Sequence, residues 1–152
     1  MRTVIAVFVI AAVLSSAAPA AAALRAAQCP PTPSFEAGPD RGAIPLRAKI
    51  GTGHVLTGVV LSTSCTPIRG AKVSFWQSNA KGVYTPAGRG AVVTDSAGRF
   101  RFEGPMPTAY GGRPAHIHIK VEARDYETLY TEYEPHGART GNVRLVLVPA
   151  AL

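Results

Sequence analysis

Apolar and polar residues alternate near the end of the chain. Residues 142–148 read Asn-Val-Arg-Leu-Val-Leu-Val, so Val143, Leu145 and Leu147 occupy every second position. Successive side chains of a β-strand point to opposite faces of the sheet. The pattern therefore predicts a strand in which these three residues share one face.

Short runs rich in β-branched and aromatic residues precede this segment, and Gly, Pro, Asp or Ser separate them. Together with the last run, the candidate strands cover residues 54–62, 71–77, 90–94, 99–103, 116–123, 127–133 and 142–148. No segment shows a convincing helical period. The pattern predicts an all-β fold, a single β-sandwich of about seven to nine short strands.

A turn signal separates two of the candidate strands. Asp95 and Gly98 enclose Ser-Ala, and Asp, Ser and Gly are residues that turns favour for their local hydrogen bonds or positive φ. We therefore expect residues 90–103 to form a β-hairpin.

Two segments with a different composition precede the predicted sandwich of residues 49–152. Residues 1–23 combine an Arg, an apolar run and an Ala-Ala-Ala that ends at Ala23, which is typical of a secretory signal peptide cleaved after Ala23 or Ala27. Residues 24–48 are rich in Pro and Gly and predict an irregular arm that lies on the sandwich. We expect a secreted or periplasmic protein without a membrane span in the mature chain. An uncleaved anchor is the alternative, but the apolar run is shorter than the ~20 residues that a span needs.

Cys29 and Cys65 are the only cysteines. In an exported protein an even number of cysteines favours a disulfide, so we predict a bridge that ties the arm to the sandwich. Two unrelated thiols are the alternative.

The formal net charge is +7, but the Lys and Arg residues are scattered singly along the chain. Nucleic-acid binding usually shows a basic stripe or a known motif, so we expect no nucleic-acid partner. A basic surface favours anionic surfaces or aromatic acids, or implies no partner at all. The oligomeric state stays open.

His116 and His118 stand two residues apart where a strand is predicted to begin. Because side chains alternate along a strand, both imidazoles face the same side and could bind one metal ion. Tyr110 and Arg113 precede them closely, and Tyr84 lies beyond a polar turn that follows an earlier strand. The two imidazoles, the phenol of Tyr110 and the guanidinium therefore indicate a candidate metal site, whereas Tyr84 is either a second phenol of that site or a packed loop aromatic.

The order of these motifs resembles the signature of the intradiol ring-cleavage dioxygenases. The chain has a Trp-Gln strand, a Gly-x-Tyr ending at Tyr84, a Pro-x-x-Tyr ending at Tyr110, and Arg-Pro-x-His-x-His from residue 113 to 118. The likeness extends over residues 30–133. The short Tyr-x-x-Arg-x-x-His-x-His spacing is similar to that of a compact secreted branch of the family.

The resemblance implies a ferric ion held by Tyr84, Tyr110, His116 and His118. Tyr84 and His116 would be the equatorial ligands, whereas Tyr110 and His118 would be axial. Phenolate is a hard anionic oxygen donor, so two tyrosinates suit Fe(III) better than zinc or copper. Free tyrosine has a pKa near ~10, so the metal must drive the deprotonation.

The resemblance also implies an activity. Members of the family open catechols with O2 between the two hydroxylated carbons, giving cis,cis-muconate-type diacids, so the expected partners are a small aromatic diol and O2. Tyr110 would also be a base for a catechol hydroxyl. Arg113 would place a permanent cation against the charge that develops on the ring. A surface Arg paired with an acid such as Glu132 is the alternative.

The chain departs from the family in two respects. Larger members have a helical N-terminal region or a second related subunit, and we expect neither here. They also carry Thr-Gln-Leu-Tyr where this chain has Thr-Glu-Tyr, so Glu132 either replaces the second-shell Gln or is misaligned by one residue. Glu132 could pair with Arg113, disfavour carboxylated substrates or point to solvent. We interpret His54 and His136, which lie outside the motifs, as surface residues.

Two other functions fit parts of the sequence. One is a non-catalytic binding module of the transthyretin-like or carboxypeptidase-regulatory type, whose Gly-x-Val and Pro-x-x-Gly-Ala-x-Val strands are similar to residues 54–75. The other is a metal-binding homologue without oxygenase activity. A binding module has no reason to keep two tyrosines and two histidines in this arrangement, so the dioxygenase is the leading hypothesis.

Overall fold

The computed structural model describes residues 28–35 and 43–151 of the chain. These residues form seven strands: β1 (Gly53–Ser62), β2 (Lys72–Ser78), β3 (Tyr84–Val93), β4 (Arg99–Pro105), β5 (Ile117–Glu122), β6 (Leu129–Tyr133) and β7 (Thr140–Leu147). The predicted leader, residues 1–23, lies outside the described residues, as do parts of the predicted arm. Within the described part, the structure contains no helix long and apolar enough to cross a membrane.

The strands form two sheets, one with the order β4-β1-β7 and one with the order β3-β2-β5-β6. β1 pairs antiparallel with β4 and parallel with β7, whereas every pair in the four-stranded sheet is antiparallel. Phe75 of one sheet stacks on Phe102 of the other at 4.2 Å between ring centroids. One apolar cluster takes side chains from both sheets, so the predicted all-β sandwich is confirmed.

The alternating pattern of the last strand is confirmed. Val143, Leu145 and Leu147 of β7 all contact the core between the sheets, and the intervening Arg144 is exposed. Val146 faces the other way but is also buried, because the arm covers it: the backbone N–H of Thr32 donates to the Val146 carbonyl at 3.1 Å. A segment far away in the sequence therefore adds burial that the local pattern does not predict.

The predicted hairpin over residues 90–103 is wrong, although its turn exists. Asp95 Oδ1 accepts hydrogen bonds from the backbone N–H groups of Ala97 and Arg99 at 2.9 and 2.8 Å. The strands on either side nevertheless belong to different sheets, since β3 pairs with β2 and β4 pairs with β1. Turn residues determine where the chain reverses, but they do not select the strands that pair afterwards. β3 also begins at Tyr84, well before the predicted start at residue 90.

The interpretation of His54 as a surface residue is wrong. This side chain is only 1% exposed, and its Nδ1 donates to the Ala138 carbonyl at 2.8 Å. Its ring contacts Tyr133 at 5.4 Å between centroids. The chain between β6 and β7 thus covers the beginning of β1. His136, in contrast, is exposed as predicted, with 79% of its side chain accessible.

The arm is fixed to the sandwich at several points. The predicted Cys29–Cys65 disulfide is present, with 5.2 Å between the Cα atoms. The Phe35 N–H donates to the Tyr130 carbonyl of edge strand β6 at 2.8 Å, and the Arg47 N–H donates to the Ala91 carbonyl of edge strand β3 at 2.8 Å. The described arm therefore satisfies backbone groups at both edges of the four-stranded sheet, which protects them from pairing with other chains.

Removing the disulfide should destabilise the fold without changing it. The bridge closes a loop with a sequence separation of 36 residues, and the loop-entropy relation assigns about 3 to 4 kcal/mol to such a constraint on the unfolded chain. We expect the double variant Cys29→Ser, Cys65→Ser to lose about that much free energy of unfolding in urea titrations. The wild type under reducing conditions should show the same loss. Equal unfolding midpoints for oxidised wild type and double variant would contradict the prediction.

Candidate metal centre

The site begins with a row of residues across the outer face of the four-stranded sheet. His118 of β5 lies opposite Trp76 of β2 on one side and opposite Glu132 of β6 on the other. Directly opposed residues share a face of the sheet, so all three side chains point away from the core. The indole of Trp76 stacks on the His118 ring, with 5.1 Å between centroids and 7° between planes. Trp76 was part of a predicted motif, but only the strand register shows this contact.

Tyr84 is the first residue of β3 and follows directly after the loop that leaves β2. Asn79 organises this loop, because its side-chain oxygen accepts hydrogen bonds from the N–H groups of Lys81 and Val83 at 2.9 and 3.1 Å. Gly82 has a φ of +73°, and a Cβ at this position would lie 3.1 Å from the Cβ of Tyr110. The Gly of the Gly-x-Tyr motif is therefore required by the backbone and by the close approach of the second tyrosine.

Tyr110 and Arg113 are the two ends of one tight turn. The Arg113 N–H donates to the Tyr110 carbonyl at 2.9 Å, and the two residues form an isolated bridge. Between them, Gly111 and Gly112 both have positive φ, +56° and +77°, as the central residues of a type I′ turn do. The Gly-Gly pair thus places the phenol and the guanidinium side by side.

The hydrogen bonds of the two histidines determine which nitrogen is free to bind a metal. His116 Nδ1 lies 2.7 Å from the Pro114 carbonyl, which can only accept, so Nδ1 carries the hydrogen and Nε2 carries the lone pair. His118 Nδ1 lies 3.2 Å from Glu132 Oε1, and with the hydrogen on Nδ1 the Nε2 lone pair faces the Tyr84 hydroxyl, 2.8 Å away. The two Nε2 atoms are 3.3 Å apart. Two facing lone pairs cannot form a hydrogen bond, but they can share a cation.

All four predicted metal ligands come together at this point. Tyr84 Oη lies 2.8 Å from His118 Nε2 and also forms a hydrogen bond with Tyr110 Oη. The Tyr110 ring lies 5.7 Å from the His116 ring. Both imidazoles are nearly inaccessible, at 3% and 4% exposure, whereas both tyrosines are half-buried. The donor atoms therefore form a compact cluster that is open on the tyrosine side.

Burial sets the protonation of two of these donors. Burial, and then the hydrogen bond with Tyr110, raises the pKa of Tyr84 above its ordinary value, although Arg113 acts in the opposite direction. Burial lowers the pKa of His118 to about 4, and the charge of Glu132 only partly opposes this shift. His118 is therefore neutral near pH 7, as a metal-binding imidazole must be. The Tyr84 phenolate needs a cation beside it, which matches a site built for a metal ion.

Glu132 lies beside the site. Its Oε2 accepts a hydrogen bond from Arg113 Nη2 at 2.6 Å, so the ion pair that the sequence offered as the alternative for Arg113 is present. One of its oxygens and one ring nitrogen each of His116 and His118 lie within 4.8 Å of one another, so these three residues could also hold a metal ion. However, both oxygens are engaged on the far side, by His118 Nδ1 and by the guanidinium. Glu132 therefore supports the four-donor cluster from behind and does not join it.

The structure is thus a small β-sandwich with two phenols and two imidazoles clustered at the outer face of one sheet. This combination defines the class of protein: a β-sandwich with a candidate site for a single metal ion, bound by oxygen and nitrogen donors. A family model described as Dioxygenase matches residues 40–139, which contain all four donors. The chain belongs to the intradiol ring-cleavage dioxygenase family, as its motifs predicted.

The curated relatives are longer than this chain. Catechol 1,2-dioxygenase 1 of Acinetobacter lwoffii is 31% identical over 127 residues, covering 65% of this chain and 38% of the relative. The protocatechuate 3,4-dioxygenase beta chain of Burkholderia cepacia is 34% identical over 92 residues, covering 47% of this chain and 39% of the relative. The chain thus spans about two fifths of the length of these relatives.

Solved structures of similar size share the fold. One is the dioxygenase domain of a dioxygenase and carbohydrate-binding protein fusion from the cellulolytic bacterium Streptomyces sp. SirexAA-E. It is 26% identical with a TM-score of 0.70, covering 80% of this chain and 100% of that domain. An intradiol ring-cleavage dioxygenase from Tetranychus urticae is 26% identical with a TM-score of 0.63, covering 70% of this chain and 65% of that one.

A methyl group at Gly82 should disturb Tyr110 specifically. Gly82→Ala and Gly70→Ala both place Ala at a positive φ, +73° and +76°, but a Cβ at Gly70 meets nothing within 4 Å. Both variants should lose about 1 to 2 kcal/mol of unfolding free energy from the backbone conformation. Only Gly82→Ala should also shift the Tyr110 ring resonances in NMR spectra of tyrosine-labelled protein. Unchanged Tyr110 resonances in Gly82→Ala would show that the contact does not position the phenol.

Proposed function

We propose that this protein is an exported non-haem Fe(III) dioxygenase that opens catechol-type rings between the two hydroxylated carbons, using O2 and yielding muconate-type diacids. One observation carries the proposal. The hydroxyl oxygens of Tyr84 and Tyr110 converge with the Nε2 atoms of His116 and His118, while both Nδ1 atoms are held by acceptors outside the cluster.

The donor set fits ferric iron. Two phenols that ionise on metal binding provide two hard anionic oxygens, and two neutral imidazoles complete a set that favours Fe(III) over softer or less charged ions. The hydrogen bond of His116 Nδ1 to the Pro114 carbonyl and the 3.2 Å contact of His118 Nδ1 with Glu132 are of the kind that orients metal-binding imidazoles and strengthens them as donors. When bound, the ferric ion supplies Lewis acidity and a template for the two hydroxyls of a catechol.

The residues of the chain would then handle protons and charge. Tyr110 Oη lies on the open side of the cluster and takes the proton of a substrate hydroxyl, so this phenol is both ligand and base. The Arg113 guanidinium, placed beside Tyr110 by the Gly-Gly turn, donates hydrogen bonds near the negative charge that develops on the ring, while its own charge is compensated by Glu132 at 2.6 Å. Trp76 covers the inner side of the His118 ring and keeps water from it.

The similar proteins support the substrate class and the setting. Several of the curated relatives are named catechol, chlorocatechol or hydroxyquinol 1,2-dioxygenases. The domain from Streptomyces sp. SirexAA-E comes from a cellulolytic bacterium, which is compatible with plant-derived phenolics as substrates. The leader pattern of residues 1–23 and the Cys29–Cys65 bridge support export.

The alternatives are less well supported. A transthyretin-like binding module shares the sandwich but needs neither the facing imidazole lone pairs nor the paired phenols. A metal-binding homologue without oxygenase activity would keep the same donors, and the uptake of O2 in the presence of catechol distinguishes the two. An active enzyme consumes O2 and yields a diacid, whereas an inactive homologue binds catechol without turnover.

Reconstitution with iron should give a reddish protein with one Fe(III) per chain. The colour arises from charge transfer between tyrosinate and ferric iron, and anaerobic addition of catechol should shift the absorption band. Tyr84→Phe should weaken the band and lower the iron content, whereas the control Tyr126→Phe, at a tyrosine that packs on the core, should leave both unchanged. A colourless wild type without iron after reconstitution would overturn the proposed function.

Removal of the Tyr110 hydroxyl should separate binding from chemistry. Tyr110→Phe keeps the ring and the remaining tyrosinate, so the protein should still be coloured. Its rate of ring opening, measured as O2 uptake and diacid formation, should fall at least about 100-fold because a general base is lost. Normal turnover by this variant would show that Tyr110 is not the base.

A further inference from the structure

We propose that Glu132 is a positioning and specificity-determining residue, which fixes the metal-binding tautomer of His118 and makes the site select uncharged catechols over catechols with a ring carboxylate. This inference rests on the proposed function and deepens it by naming the substrate class.

Glu132 uses its two oxygens for two different tasks. Oε1 lies 3.2 Å from Nδ1 of His118, and Oε2 lies 2.6 Å from Nη2 of Arg113. The strand register places Glu132 directly opposite His118, so the first contact follows from the pairing of β5 with β6. Only 23% of the Glu132 side chain is exposed, compared with 49% of the Arg113 side chain. The carboxylate of Glu132 is therefore less accessible to solvent than the guanidinium with which it pairs.

The contact of Glu132 with His118 influences which ring nitrogen of His118 can bind a metal ion. The negative charge of Glu132 Oε1, 3.2 Å from Nδ1 of His118, favours the hydrogen on that nitrogen, so the lone pair lies on Nε2, which faces His116 and Tyr84. A negatively charged acceptor also increases the basicity of the imidazole, as in the carboxylate–histidine pairs of other metal sites. Glu132 thus positions a ligand without touching substrate.

The contact of Glu132 with Arg113 determines the net charge beside the phenols. Arg113 is the cation that the Gly-Gly turn places beside the phenols, and Glu132 pairs with it at 2.6 Å. The pair carries no net charge, and the guanidinium edge that Glu132 occupies is not available to a substrate carboxylate. Lys120 is the next residue of β5 on the same face as His118. Its Nζ lies 3.1 Å from Glu122 Oε1, so the charge of this lysine is also compensated. The site therefore offers little attraction to an additional negative charge on the ring.

Substitution by glutamine tests both contacts with almost no change in volume. In Glu132→Gln the amide can present its oxygen to only one of the two donors, and it leaves the charge of Arg113 uncompensated. The guanidinium would then attract a carboxylate, because an opposite charge a few ångströms away in a half-buried site is only partly screened. Selection between the two substrate classes should shift toward the carboxylated one.

The experiment compares iron-loaded full-length wild type, Glu132→Gln and the control Glu122→Gln, which removes the same charge from an ion pair farther along the sheet. Catechol and 3,4-dihydroxybenzoate are titrated anaerobically, and dissociation constants are read from the charge-transfer band. For Glu132→Gln we expect the preference for catechol over the carboxylate to fall about three- to tenfold. Glu122→Gln should keep the wild-type preference.

A second measurement separates charge from position. Resistance to a competing iron chelator should fall about tenfold in Glu132→Gln, since loss of a second-shell partner typically weakens metal binding by that factor or more. Glu132→Asp keeps the negative charge, but its side chain is one methylene shorter and should no longer contact His118 Nδ1. This variant should therefore lose iron more readily than the wild type while it retains the substrate preference.

The outcomes distinguish this inference from the proposed function. If the wild type binds iron and opens catechol but Glu132→Gln keeps both the preference and the iron affinity, Glu132 has neither role and only this inference fails. If Glu122→Gln changes the preference equally, the effect is one of overall charge and the assignment to Glu132 is wrong. A wild type that binds no iron and consumes no O2 refutes the proposed function itself.

Discussion

The candidate site depends on where two imidazole hydrogens are held. The Pro114 carbonyl accepts the Nδ1 hydrogen of His116, and Glu132 Oε1 lies 3.2 Å from Nδ1 of His118, so the two Nε2 atoms face each other at 3.3 Å between nearly inaccessible rings. The Tyr84 hydroxyl lies 2.8 Å from His118 Nε2 and can donate to it. Two imidazole nitrogens and two phenol oxygens that converge in this way also form the donor set of a cation site, which is why the cluster makes physical sense as a candidate metal centre.

The sandwich provides the rigidity that this arrangement needs. Ile117 and Ile119 alternate with the two histidines and lie in the core with 1% exposure each. A slip of one residue in the register of β5 would move the isoleucines outward and the imidazoles into the core. Burial of the two isoleucines therefore fixes the register of β5. The same register determines the direction in which the side chains of the two histidines point. The outer row that includes Trp76 and Glu132 is a consequence of the same register.

Local patterns were sufficient for much of this structure. Runs of β-branched and aromatic residues between turn residues predicted the strands, the even number of cysteines predicted the disulfide, and the motifs with their family resemblance predicted that the four donors and Arg113 lie together. What failed required knowledge of distant partners. The turn at Asp95 was identified correctly, but nothing near it shows that the next strand joins the other sheet. His54 stands in a polar context in the sequence, yet the chain around Ala138 covers it. The sequence left open whether Glu132 pairs with Arg113 or points to solvent, and only the pairing of β5 with β6 shows that it lies opposite His118 and within reach of Arg113.

Charge connects the fold to specificity in the proposed enzyme. Two phenolates partly neutralise a ferric ion, and a catechol that loses both protons adds two further negative charges. With an uncharged residue at position 132, Arg113 would remain as a free cation that could accommodate one more negative group on the ring. The carboxylate of Glu132 already occupies that role at 2.6 Å. The same carboxylate also lies 3.2 Å from Nδ1 of His118, so in the proposed enzyme substrate selection and metal binding would be coupled through a single side chain on β6.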